Sequence, residues 1–193
     1  MSIVLMGSTS GSCTLQEQAV AGTTTLTLPT TSGTILTNSS AGTVLQVVQT
    51  VKTDTFTMSS STFADITGLS VNITPTSSSN KILILANVNH VGTTSTSASG
   101  IRLMRNSTAI GIGDAAGSRP RTSGGESYGN FGVTLTGDAI MFLDSPATTS
   151  ATTYKIQIQA YSNTAYVNRS QVDTDSNAYF RGMSSITVME ISG

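Results

Sequence analysis

The chain has 193 residues, a net charge of −1 and only 10% charged residues, against about a quarter in an ordinary soluble protein. That length holds one domain plus an extension. The charge balance excludes the global field that draws in nucleic acid or an anionic membrane, and no run approaches the roughly 18 apolar residues of a membrane-inserted helix.

Ser and Thr together number 62, so hydroxyls and amides rather than ions keep the surface wet. Such surfaces suit a protein inside an assembly, or one that survives outside cells. Cys13 is alone, which excludes an intrachain disulfide and a zinc site of ordinary ligand count. The start, "MSIVLMGSTSGS", lacks the positive n-region of a signal peptide, and its apolar run Ile3–Met6 is four residues long. The expectation is a chain made in a cytoplasm.

Residues 1–42 form one compositional block, rich in Thr, Ser and Gly and without an aromatic. Nothing between Glu17 and Lys52 is charged. Within it, "GTTTLTLPTTSGTILTNSS" (22–40) alternates Thr and Leu around a Pro. In an extended chain Leu26 and Leu28 point one way while Thr25 and Thr27 point the other. A lone strand of this kind leaves its backbone unpaired and its leucines wet. It gains order only against copies of itself or a groove in another protein. Leu26, Leu28, Ile35 and Leu36 are therefore the expected docking residues.

From Val44 the pattern changes, and 43–193 reads as a separate domain. "TVLQVVQTV" reads as a strand, followed by "TDTFTM". "FADITGLSVNITP" reads as two short strands around Gly68. In "KILILANVNH" (81–90), Ile82, Ile84, Ala86 and Val88 share one face, and Leu83, Leu85, Asn87 and Asn89 the other. "GIRLMRNSTAIGIG" reads as a strand, a turn at Asn106-Ser107 and a second short strand. "FGVTLTG" and "AIMFLD" read as a pair around Gly137-Asp138. "TTYKIQIQAYS" sets Tyr154, Ile156, Ile158 and Ala160 against Lys155, Gln157 and Gln159. "AYVN" is brief, and "SSITVMEI" closes the chain. About ten short strands with turn chemistry every 8–15 residues predict an all-β, jelly-roll-like antiparallel sandwich.

Three stretches read as surface loops: 92–99, 113–130 and 168–182. Long irregular segments in a compact domain are usually functional or mobile. Arg119, Arg121, Tyr128, Phe131, Tyr179 and Phe180 are the candidate contact residues, able to stack on sugars and hydrogen-bond to them.

Catalytic signals are poor. His90 is the only histidine and ends an apolar strand, as a structural or interface histidine does. Asp173 and Asp175 sit in "DTDSN", which lacks the Gly and closing Glu of an EF-hand loop. "GIGDAAG" has the wrong spacing, and no Lys, for a phosphate loop. The Asn-x-Ser/Thr sequons at Asn38, Asn72, Asn106 and Asn168 follow from the hydroxyl-rich composition. The reading is a non-enzyme without metal or cofactor.

"GTTTLTLPTTSGTILTNSSAGTVLQVVQ" resembles the linker before the terminal domain of many phage fibre-type proteins. "KILILANV", "RLMRNSTAIGIGDAAGSR", "FLDSPATTSATTYKIQIQAYS", "YVNRS" and "SSITVMEI" resemble terminal domains of tail and head fibre proteins from marine and cyanobacterial phages. The resemblance runs from about Gly22 to the end, and "LDSPATTSATTYK" and "SSITVMEI" are its most specific pieces. It implies a virion structural protein and a homotrimer, with the N-terminal segment docked on tail, adaptor or capsid proteins and a β head facing outward. It brings no catalytic residues. Ile186, Val188 and Ile191 of the last strand are the expected trimer interface, alongside Met189. Three readings stay open: a short fibre adsorbing to a host-surface glycan, a capsid-decorating protein without a receptor, and a polysaccharide depolymerase.

Overall fold

A computed structural model describes residues 2–6, 12–16, 41–92, 98–127 and 135–193. The chain divides into two compact units, Met1–Ile35 and Leu36–Gly193. In the first, β1 (Ser2–Met6) and β2 (Ser12–Gln16) pair antiparallel, with Val4 opposite Thr14. Leu26, Leu28, Ile35 and Leu36, expected to dock, lie outside the described residues. Gly42 already belongs to the second unit. Its N–H donates to the Ser192 carbonyl at 2.8 Å, and the Ser192 N–H returns a bond to the Thr43 carbonyl at 2.8 Å.

The second unit is an all-β, jelly-roll-like sandwich whose antiparallel sheets curl into a half-barrel; there is no helix among the described residues. One sheet is built on β3 (Val44–Lys52), β13 (Ser184–Ile191), β6 (Lys81–Gly92) and β10 (Thr136–Asp144), side by side in that order. Its far end is extended by β12 (Ala165–Val167), which pairs with the last residues of β6, and by β4 (Phe56–Met58) beside it. The other sheet runs β5 (Ala64–Ile73), β11 (Thr152–Ala160), β7 (Ala98–Arg105). Along the outer edge of β7 lie β8 (Thr108–Ile110) and β9 (Gly124–Ser127).

Alternation decides what each sheet buries. Ile82, Ile84, Ala86 and Val88 of β6 face Tyr154, Ile156 and Ile158 of β11 in one continuous core. The opposite face of β6, Leu83 to Asn89, is half-buried. The expected turn at Asn106 is present, with Asn106 at φ 52°. The two chain segments expected to fold as hairpins do not. Ala64–Ile73 is one strand, and Gly68, at φ 82°, lies where its register against β11 shifts between Lys155 and Gln157. This is a β-bulge, a use of glycine that resembles a turn in sequence. Thr136–Asp144 is likewise one strand, and Gly137 and Asp138 pair with Asn89 and Val88 instead of turning.

The expected trimer interface also needs correction. Ile186 and Val188 are fully buried in the domain's own core, so a folded domain cannot offer them to a neighbour. Ile191 is half-buried. Glu190 points inward with Ile186 and Val188 and is fully buried. It accepts bonds from the Thr76 N–H at 2.6 Å, the Thr76 hydroxyl at 2.8 Å, Asn80 Nδ2 at 2.6 Å and Gln46 Nε2. Asp144 is buried similarly against Arg105 and the Tyr154 hydroxyl.

Candidate functional site

The most elaborated surface is the excursion from Asn168 to Gly182, which leaves the sheet between β12 and β13. Asn168 adopts φ 61°, a left-handed conformation that Asn tolerates better than most residues. Its side chain donates to the carbonyls of Lys52 at 2.8 Å and Asp54 at 3.0 Å, and accepts from the Ser184 hydroxyl at 2.7 Å. The Gly182 N–H closes the excursion onto the Asn168 carbonyl at 3.1 Å. Arg169 stacks over Tyr166 with its guanidinium carbon 4.1 Å from the ring centroid. It also donates to the Gln171 carbonyl at 2.6 Å. Asp173 is held between Arg181, at 2.7 Å, and Arg169, at 3.4 Å.

This bracing leaves a polar groove of about 300 Å³ lined by Asp173, Thr174, Asp175, Tyr179, Phe180 and Arg181. Phe180 is 59% exposed beside it. Two of the sequence-predicted residues, Tyr179 and Phe180, are therefore in one place. An aromatic face, a free carboxylate on Asp175 and a guanidinium around a groove of this size fit one or two sugar rings. The aromatic covers C–H bonds and the charged groups bond to hydroxyls.

The other loop is arranged differently. Arg121 donates from Nε to the Gly113 carbonyl at 2.6 Å, and the Arg119 N–H donates to the Ala116 carbonyl at 3.3 Å. The Arg119 guanidinium lies over that same carbonyl at 3.5 Å. Both guanidiniums thus brace their own loop. Between them, Pro120 helps line a second, mostly apolar hollow of about 250 Å³ with Ala98, Gly100, Thr122, Gln159 and Tyr161. The two hollows share no residue. Tyr161, an exposed aromatic, was not among the sequence candidates because it closes the alternating run of β11 and lies in none of the three long loops. Tyr128 and Phe131 lie outside the described residues.

His90 is fully buried at the end of β6. Its Nε2 is 3.2 Å from Asp138 Oδ2, and its Nδ1 is 2.7 Å from the Ser99 hydroxyl. An ionised carboxylate only accepts, so Nε2 donates to Asp138, and in the neutral imidazole Nδ1 accepts the Ser99 O–H. The bond from His90 outweighs burial and, with the Gly125 N–H, holds the Asp138 carboxyl below its ordinary value. The residue types are those of a nucleophilic relay, and Ser99 borders the apolar hollow of Pro120 and Tyr161, but the residue is only 2% exposed. As folded, the set ties β6 and β10 of one sheet to β7 and β9 of the other. The described residues hold no group of three His, Cys, Asp or Glu able to bind a metal ion.

No family model matches the chain, and no curated protein matches it.

Proposed function

We propose that this chain is a phage fibre-type virion structural protein. It forms a short homotrimer docked on the particle by its N-terminal segment, and its β head faces outward and adsorbs to a host-surface glycan. The protein performs no catalysis in this reading and needs no cofactor. Sequence resemblance supplies the virion context. The observation that carries the adsorption role is the 168–182 excursion, a polar groove with an exposed Phe180, braced by the Arg169–Asp173–Arg181 ion pairs on a rigid sandwich. Loops positioned by such a scaffold are where binding residues concentrate.

A capsid-decorating protein without a receptor is the second reading. It is favoured by Arg119 and Arg121, whose guanidiniums serve their own loop instead of a ligand. One comparison separates the two: binding of the purified chain to bacterial surface polysaccharides, beside binding to purified capsids lacking tails. The proposal expects saturable polysaccharide binding that weakens at least about tenfold in Phe180→Ala, the cost of roughly 1.4 kcal/mol of lost stacking. Capsid binding with no polysaccharide binding overturns the adsorption role and supports decoration.

A further inference from the structure

The outer face of the four strands β3, β13, β6 and β10 inverts the usual arrangement of charge. Four of their charged residues turn inward. Lys52, Asp144 and Glu190 are buried, and Asp138 meets the buried His90. What remains outside is neutral, and much of it is apolar.

The register shows how continuous it is. Val47 lies opposite Met189, Met189 opposite Leu83, and Leu83 opposite Leu143, one straight row across all four strands. Two residues along each strand, the next row runs Gln49, Thr187, Leu85, Met141. Met141 is 78% exposed, and Val47, Val51 and Leu143 are each about half exposed. Lys81, at the end of β6 opposite Ile191, is the only charged residue on this face among the described residues.

We infer that this sheet face is the surface through which the chain binds a second copy of itself. Four strands about 4.8 Å apart and some nine residues long cover about 19 Å by 30 Å, on the order of 570 Å² in projection. That figure counts the polar Gln49, Thr187, Ser185 and Asn87 of the same face together with the apolar residues. Two such faces bury about 1,100 Å² before side-chain relief is added, past the roughly 1,000 Å² expected of a biological interface. The occupant follows from charge. An interface core is depleted of charged residues, and a neutral face meets its own copy without like-charge repulsion. A partner selected by charge finds nothing here to select it. Two copies on a twofold axis meet over the whole face; around a threefold axis the face is shared between two neighbours, about half to each.

The inference rests on the homo-oligomeric part of the proposed function and not on its glycan part. The test is the solution mass of the full chain by light scattering after size exclusion. Wild type is compared with Met141→Asp/Leu143→Asp and with Ser70→Asp, an exposed position on the outer face of the other sheet. The expected result is a mass two or three times 19.9 kDa for wild type and Ser70→Asp, and a single-chain mass for the double variant with an unchanged far-ultraviolet spectrum; a dimer keeps this surface and overturns the trimer of the proposed function. A double variant that keeps the wild-type mass overturns this surface and leaves self-assembly standing. A monomeric wild type overturns both.

If the double variant does not fold, peroxide oxidation of the wild type supplies the reading. In the assembly Met141, although 78% exposed in the isolated domain, should form its sulfoxide several-fold more slowly than free methionine in the same solution. Oxidation of Met141 at the rate of free methionine refutes the inference.

Discussion

Replacing Glu190 with Gln tests whether a buried anion organises one end of the sandwich. The substitution keeps shape and removes one acceptor oxygen, putting an NH2 group either at Oε2, where Gln46 now donates, or at Oε1, where the other three donors point. The donors come from Thr76, Asn80 and Gln46, residues of β3 and of the 76–80 turn that are up to 144 positions away in sequence. A hydrogen bond to a charged group contributes about 1.5–3 kcal/mol, and a buried donor left facing another donor costs about as much. Water relieves part of this at Thr76 and Gln46, so the expected loss is about 3 kcal/mol. In a domain of this size that lowers Tm by about 6–12 °C. The assay is thermal and urea unfolding followed by circular dichroism at matched protein concentration, because self-association shifts apparent stability.

The pH dependence has a definite sign. Burial pushes the Glu190 carboxyl up, but the bonds from Asn80, Gln46 and Thr76 outweigh it and hold it below its ordinary 4.5. A depressed carboxyl contributes stability that is fully present above 4.5 and is lost as pH falls through the lower folded value. The gap between wild type and Glu190→Gln should therefore be full at pH 7 and narrow in acid. A Gln variant within about 1 kcal/mol of wild type at pH 7 refutes the reasoning.

Ile186→Ala should cost about 2–5 kcal/mol by opening a cavity in the core, while leaving the oligomer mass unchanged at temperatures where it is folded. Loss of assembly with unchanged stability returns Ile186 to an interface. Tyr154→Phe removes the 2.6 Å bond from the phenol to Asp144 and should cost about 1–3 kcal/mol in urea unfolding. In the wild type, burial and the Asp144 anion push the Tyr154 phenol far above its ordinary 10. Ultraviolet titration should leave one tyrosine un-ionised until alkaline unfolding.

Much of the fold was legible because β11 alternates cleanly, with its apolar residues on one face, and because β6 joins a fully apolar face to one that turns polar at Asn87 and Asn89. The last strand was not. "SSITVMEI" carries apolar residues on both faces, so period alone cannot say which is inside. Glu190 shares a side with Ile186 and Val188, and by composition it argues that this side is wet. It is dry because Thr76, Asn80 and Gln46 satisfy the carboxylate, and those partners come together only through tertiary structure. Glycine misled in the same way at Gly68 and Gly137. Both carry turn chemistry in sequence, yet one shapes a bulge and the other sits beneath Asn87 and Asn89 in a paired strand. In the candidate site, Tyr179 and Phe180 were recoverable as aromatics in a polar loop. The self-engagement of Arg119 and Arg121 was not, because it depends on where the carbonyls of Ala116 and Gly113 point.

Asn168 has a consequence for how this domain can change. It fastens the start of the excursion to Lys52, Asp54, Asn89 and Ser184, and Gly182 returns to the same residue. Both ends of the intervening segment therefore meet at a single clasp, and none of the core side chains comes from between them. The segment behaves as a cassette. Beyond Arg169, which stacks on Tyr166 of β12, and the buried Ser170, its length and residues have little hold on the strands on either side, and loop closure costs little extra per added residue. A scaffold with one such clasp can change what it touches while conserving how it folds.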